Sequence, residues 1–166
     1  MTPEERVRDF LSDHRALVLA TSGKEGLPTA SYAPFIRSDG NFYVYTSALS
    51  RHTKDMKESP RVSAMIMEDE QKAVSNPFAR KRLTLSCVAE IVLRDSEEWQ
   101  NILDCFGNVF RNSFELIRPL GDFTLFRLVP SEATYVEGFG QAYRLNKDLE
   151  ESVHIRGTGP GAKAHK

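Results

Sequence analysis

The stretch that most constrains the fold runs from Ala16 to Thr46 and reads as three short strands joined by two tight turns. Ala16–Thr21 is apolar and ends in the turn cluster Ser22-Gly23-Lys24-Glu25-Gly26. Pro28–Arg37 carries the chain back to a second turn, Ser38-Asp39-Gly40-Asn41. In Phe42–Thr46 successive side chains alternate between two faces. The pattern predicts an up-down-up antiparallel meander, which is a sheet that has to curl or be covered.

The rest of the chain supplies further strands and three helices. Hydrophobic period predicts helices over Pro3–His14 and Arg51–Glu58 and from Ser96 to Phe110. Predicted strands are Arg61–Met67, Leu83–Arg94, Phe123–Val129 and Thr134–Phe139, the last two joined by a turn at Pro130-Ser131-Glu132-Ala133. The expected fold class is therefore mainly β with flanking helices: a small barrel closed by hairpins, with the helix from Ser96 against one mouth.

Composition bounds the function classes. A chain of 166 residues with 40% hydrophobic and 27% charged residues is ordinary for one soluble globular domain. Its net charge of -1 favours neither nucleic acid nor an anionic membrane as a partner. No apolar run approaches the roughly 20 residues of a membrane helix. The two cysteines, Cys87 and Cys105, form no CxxC pair, which predicts a reducing, cytoplasmic location.

The C-terminal end and the loop before the longest strand differ from the rest. Beyond Gly140 the chain becomes polar, and the Gly/Pro-rich end has little to bury. We therefore predict a barrel domain over residues 1–145 and a flexible C-terminal segment over residues 146–166. A polar loop, Glu68–Ala79, leads into the basic group Arg80-Lys81-Arg82. No P-loop, GxGxxG, metalloprotease helix or nucleophile elbow is present.

Aromatic content points to self-association. One small barrel interior does not comfortably hold all of the strand aromatics, which are Tyr32, Phe35, Tyr43, Tyr45 and Tyr135. Pairing of two copies through the sheet would bury the surplus. The sequence thus predicts a homodimer.

Specific segments resemble a known family. LATSGKEGLPTASYAPF, followed by FYVYTSALSRHTKDMKESPRVSAMI, resembles the FMN-binding split barrel of the pyridoxamine 5'-phosphate oxidase superfamily. Within it, ASYAPF, SRHTKDM, NPFARKRLTLS, the Asp122–Leu128 segment and GFGQAY resemble the haem-utilisation proteins of the HugZ/HutZ type. The match spans about residues 5–145 and then the tail.

The resemblance implies a homodimeric split barrel that binds haem at the subunit interface and degrades it oxidatively, with an external electron donor. It implies that His165, the histidine of the tail, coordinates the haem iron. Asp122 would hydrogen-bond that imidazole, and these two residues would be catalytic. Arg82, with Arg80 and Lys81, would pair with the haem propionates, and Thr21 would lie beside the haem.

The sequence leaves two alternative functions open. The first is haem storage or delivery without turnover, which would use the same binding residues. The second is an FMN-dependent oxidoreductase, in which side chains after the third strand would hold the phosphate. Candidates for that phosphate site are Thr46, Ser47, Ser50, Arg51 and Lys54, with His52 nearby. The resemblance to the haem branch makes FMN the less favoured cofactor.

Overall fold

One curled antiparallel sheet with helices outside it forms the fold, described by a computed structural model over residues 1–157. The helices are α1 (Pro3–Ser12), α2 (Arg51–Glu58), α3 (Glu97–Phe110) and α4 (Asn112–Glu115). The strands are β1 (Ala16–Ser22), β2 (Pro28–Pro34), β3 (Ile36–Ser38), β4 (Asn41–Ser47), β5 (Arg61–Met67), β6 (Arg82–Ile91), β7 (Phe123–Gly138), β8 (Gln141–Asn146) and β9 (Ser152–His154). Two 3-10 turns, Glu70–Ala73 and Pro77–Ala79, lie in the loop before β6.

The strand order explains the curl. Hydrogen-bonded neighbours follow the path β2-β1-β5-β6-β7-β4-β3, with β8 beside β7 and β9 beside β8. The path begins with β2 and ends with β3, yet only Phe35 separates these strands in the chain. Since one residue cannot bridge the width of a flat sheet, the two edges have to curl towards each other. The predicted barrel class is confirmed as a split barrel.

The predicted three-strand meander is wrong in its pairing. β1 and β2 form a hairpin, with Ala16 opposite Pro34 and Ser22 opposite Pro28. Beyond Phe35, β3 and β4 form a second hairpin across the predicted turn, with Ile36 opposite Tyr43. On its other side β4 pairs with β7 and not with β2, with Phe42 opposite Leu128. The chain turns at Phe35, whose buried ring enters the core and whose amide donates to the Arg15 carbonyl at 3.0 Å. Alternation along a strand shows which side chains share a face, but not which other strand is its hydrogen-bonded neighbour.

The predicted closing hairpin is wrong as well. Phe123–Gly138 is one strand of 16 residues that runs straight through the expected turn. Opposite β6 the register shifts between Ser86, which pairs with Glu132, and Cys87, which pairs with Pro130. This β-bulge leaves Ser131 as the extra residue, and it relieves Pro130 of the ladder hydrogen bond that proline cannot donate.

Two hydrophobic clusters lie on opposite faces of the sheet. The interior cluster joins inward side chains of the strands to the apolar face of α1, including Val7, Phe10, Leu17, Leu19, Phe42, Val44, Ile66, Leu83, Leu85, Phe126 and Leu128. The outer cluster packs α3 and α4 on β3, β4 and β7, through Ile36, Tyr43, Tyr45, Ile102, Leu103, Phe106, Phe114 and Leu125. α3 therefore covers an outer face and not a barrel mouth, which corrects the predicted position. Tyr43 and Tyr45 are buried there within one chain, whereas Tyr32 is 66% exposed.

The chain beyond residue 145 continues the sheet. β8 ends at Asn146, and β9 pairs with it, Tyr143 lying opposite His154. Between these strands Leu149 is buried in the interior cluster. These contacts lie beyond the predicted boundary at residue 145, and local composition does not register them. Residues 158–166 lie outside the described part of the chain.

Within residues 1–157, no helix combines the length and apolar character that spanning a bilayer requires. Both cysteines are free thiols: Cys87 is buried in the barrel and Cys105 is half-buried on α3.

Candidate functional site

A buried polar network joins the end of β1 to helix α2. The amphipathic pattern of RHTKDMKE turns His52, Thr53, Asp55 and Met56 towards the barrel. Thr21, at the end of β1, donates its hydroxyl to Asp55 Oδ2 at 2.9 Å, and both residues are almost fully buried. The nearest cation, Arg51, places its Nε 3.7 Å from Asp55 Oδ1. Thr21 therefore stabilises a buried carboxylate, and within one chain its hydroxyl is not presented to a ligand.

The same helix is connected to Asp122. Thr53 Oγ1 donates to Thr46 Oγ1 at 2.8 Å and to the Ser47 carbonyl at 2.6 Å. Ser47 in turn donates its hydroxyl to Asp122 Oδ2 at 3.3 Å, and the Ala48 amide donates to the Asp122 carbonyl at 2.8 Å. Asp122 is exposed and immediately precedes β7. Thr21 and Asp122 thus lie at the same end of the barrel, on two sides of α2.

His52 belongs to the structural side of this network. It is 8% exposed, and its Nδ1 lies 2.7 Å from Ser31 Oγ of β2. Burial lowers the pKa of His52, and nearby Asp55 only partly offsets that effect. His52 is thus held neutral between β2 and α2 at neutral pH.

The three basic residues at the start of β6 make different contacts. Arg80 donates from Nε and Nη2 to the Glu68 carbonyl, at 2.8 and 2.6 Å, and so closes the loop before β6. Arg82 donates from Nη1 to the Arg80 carbonyl at 2.9 Å. Lys81 is exposed, and only its backbone takes part in the hydrogen bonds of the described residues. Lys81 and Arg82 are therefore freer than Arg80 to meet an anionic group.

These two groups of residues do not meet within one chain. Arg82 pairs with Met67 at the end of β5, and Met65 pairs with Val18 of β1. Thr21 lies about three residues beyond that point, in the direction away from Arg82. Counting along the strands, the two lie roughly 15 Å or more apart. Asp122 precedes β7, while Arg82 pairs with Val136 near its other end.

The predicted iron ligand, His165, lies outside the described residues. The three described histidines each hold a contact within the fold. His14 has its Nδ1 against the Phe10 carbonyl, and His52 contacts Ser31. His154 lies on the exposed β9, with Nε2 3.1 Å from the Gly140 carbonyl. Among residues 1–157, no group of three or more His, Cys, Asp or Glu side chains forms a metal site.

The cleft beside α2 does not suit the phosphate of FMN. Its cations are Arg51, Lys54 and Lys24, and its anions are Asp55, Glu58 and Glu25. The Lys54 amino group lies 3.9 Å from Glu58, as Arg51 lies near Asp55. The Lys24 amide also donates to Glu58 Oε2 at 3.0 Å. A dianionic phosphate would meet three carboxylates against three cations, so the cleft offers no surplus of positive charge.

Sequence reasoning did not identify Asp55, the carboxylate at the centre of the buried network. A signal existed, because His52, Asp55 and Met56 share one face of the predicted helix at i, i+3 and i+4 spacing. An aspartate on an apolar helix face requires a partner, and Thr21 is that partner.

Fold and site together define a split-barrel protein of a known family. The pyridoxamine 5'-phosphate oxidase family model matches residues 3–137, and the chain belongs to this family. Over 153 residues it is 40% identical to haem oxygenase HutZ of Vibrio cholerae serotype O1, covering 92% of this chain and 86% of the relative. The resemblance to the HugZ/HutZ type is confirmed.

Solved structures agree with this assignment. HutZ from Vibrio cholerae, described there as a haem storage protein, aligns with a TM-score of 0.74 and 39% identity over 78% of this chain and 91% of that one. ChuZ from Campylobacter jejuni aligns with a TM-score of 0.84 and 31% identity over 98% of this chain and 65% of that one.

Proposed function

We propose that this protein binds haem and degrades it oxidatively, so that haem is both its ligand and its substrate. The observation that carries the proposal is the 40% identity to a haem oxygenase over 92% of the chain. The poor fit of the α2 cleft to a phosphate supports haem over FMN. Bound haem would supply the iron at which oxygen is activated, and an external donor would supply the electrons.

The protein's own residues would hold and orient the ring. We assign His165 as the axial ligand, because a neutral imidazole is a good donor to iron. Asp122 offers an exposed carboxylate that can accept the other ring N–H of such a ligand and so orient the imidazole. Arg82 and Lys81 are the groups we assign to the propionates, with Arg80 holding their loop through Glu68.

The separation of these groups supports a homodimeric site. The exposed Asp122 lies at the α2 end of the barrel, and Arg82 lies at the other end of neighbouring strands. A single porphyrin would meet both groups if one copy contributed the α2 end and the second contributed its basic group. We therefore place the haem between two subunits of a homodimer, in the cytoplasm, where the two free cysteines stay reduced.

Titration of the purified full-length protein with haemin tests the binding. We expect a sharp Soret band that saturates at one haem per subunit. His165→Ala should abolish or shift this band, whereas His154→Ala, a matched change on exposed β9, should leave it unchanged. Failure of the wild-type protein to bind haemin would overturn the proposal. An unchanged spectrum in His165→Ala would remove the proposed ligand.

Storage without turnover is the second candidate, favoured by the description of the Vibrio HutZ structure as a haem storage protein. Ascorbate added to the haem complex in air separates the two. Loss of the Soret band with a new bilin absorbance identifies an enzyme. Persistence of the band identifies a carrier. Catalase is included in the assay to remove free peroxide.

A further inference from the structure

A second cleft lies away from the α2 end of the barrel. It has a volume of about 600 Å³ and lies between α1, the β3–β4 hairpin and α3. Arg8 and Arg15 enter it from α1 and the turn that follows, and Arg37 enters it from β3. Its apolar lining includes Val109, which is exposed, and Leu11, which is almost fully buried. The cleft therefore combines several guanidinium groups with an apolar lining.

Positive charge in this cleft is not balanced. Three arginines line it against a single acidic side chain, Asp39. Arg15 donates to the Ser12 carbonyl at the end of α1 and to the His14 carbonyl in the turn that follows. Among residues 1–157, Arg8 and Arg37 have no carboxylate oxygen within 4.0 Å and donate no side-chain hydrogen bond. By contrast, Arg6, two residues earlier on α1, is paired with Glu137 at 2.6 Å.

The two unpaired arginines influence each other. The Arg37 guanidinium carbon lies 5.9 Å from the centroid of the Phe42 ring, over a residue of the barrel core. Burial and the neighbouring charge of Arg8 both lower the pKa of Arg37. Both arginines remain accessible to solvent and line one cleft, so an anion bound there would interact favourably with both positive charges. A planar guanidinium is well suited to a carboxylate or a phosphate, since it offers two parallel donors.

We propose that this cleft binds an organic oxyanion, a carboxylate or phosphate attached to an apolar group. Arg8 and Arg37 would bind the anionic end, and the exposed side chain of Val109 would cover the apolar body. The site is distinct from the residues assigned to haem near α2. β1 leads away from Arg15 to Thr21, which is roughly 20 Å along an extended strand.

Calorimetric titration of the full-length, haem-free protein tests the proposal with phenyl phosphate, benzoate and inorganic phosphate. We expect saturable binding of phenyl phosphate or benzoate, tighter than that of inorganic phosphate because of the apolar wall. The stronger of the two organic probes identifies the preferred anionic group. Arg37→Gln and Arg8→Gln should each weaken that binding about tenfold, as expected for loss of a charge-assisted hydrogen bond.

Arg61→Gln, a change at an exposed arginine of β5 outside the cleft, is the matched control and should bind like wild type. Thermal unfolding of each variant checks that the fold is retained. Absence of saturable binding by both organic probes would overturn the proposal. So would equal binding by Arg37→Gln, Arg8→Gln and wild type. Haemin binding is measured separately, so failure here leaves the haem assignment unaffected.

Discussion

Replacing Thr21 by valine separates a structural role of this residue from contact with a ligand. Valine keeps the shape of threonine and removes the hydroxyl that donates to Asp55 at 2.9 Å. Asp55 is 2% exposed, so water cannot replace the lost donor, and Arg51 Nε at 3.7 Å is too far for a good hydrogen bond. A hydrogen bond to a charged, buried acceptor contributes about 1.5–3 kcal/mol. We expect the free energy of unfolding to fall by about that amount.

Urea denaturation of the haem-free protein, followed by Trp99 fluorescence at a fixed protein concentration, measures this loss. At about 2–4 °C for each kcal/mol in a chain of this size, thermal unfolding should shift by about 3–12 °C. Thr29→Val is the control, because Thr29 lies directly opposite Thr21 on β2 and its hydroxyl makes no hydrogen bond among residues 1–157. It should change stability by less than about 0.5 kcal/mol. A Thr21→Val protein with wild-type stability but weakened haemin binding would refute the structural role.

Three further predictions follow from buried polar groups. Burial lowers the pKa of His52, so as the pH drops below about 6.5 the unfolded state protonates this residue first and the free energy of unfolding should fall. His52→Asn should reduce the change in melting temperature between pH 7.5 and 5.5, and an unchanged pH dependence would contradict this. Burial raises the pKa of Cys87 to about 12; a thiol reagent at pH 8 should therefore modify Cys105 alone in the native protein and both cysteines after unfolding, and native reaction of two thiols would exclude this assignment. The Tyr45 hydroxyl is buried with Arg94 nearby but makes no hydrogen bond of good geometry among the described residues, whereas the Tyr43 hydroxyl donates to a carboxylate of α3 at 2.9 Å. Tyr43→Phe should lower the unfolding free energy by about 1 kcal/mol and Tyr45→Phe should not lower it, and equal losses in the two variants would disprove the difference.

Local sequence determined the elements with a strong period. The α2 prediction, Arg51–Glu58, and the β5 prediction, Arg61–Met67, match the structure residue for residue. The inward face of β6, from Leu83 to Ala89, is buried as its alternation predicts. These predictions succeeded because hydrophobic period reflects which side of a single element is buried.

Strand partners were decided only by tertiary structure. Phe42–Thr46 alternates equally well beside β2 or beside β7, and only packing in the barrel selects β7. Pro130 reads locally as part of a turn, yet a bulge opposite β6 keeps it within a continuous strand. The same contacts from distant segments bring Leu149 into the core.

Some features of the candidate site could likewise be predicted from the sequence, and others depend on tertiary structure. The resemblance of sequence segments identified the family, and the structure leaves Asp122 exposed and Arg82 half-buried. The hydrogen bond between Thr21 and Asp55 joins residues 34 positions apart, and no local pattern encodes it. The sequence by itself determined the barrel class and the chemistry of its exposed groups. Tertiary structure decided which polar side chains are buried, since burial depends on neighbours contributed by distant parts of the chain.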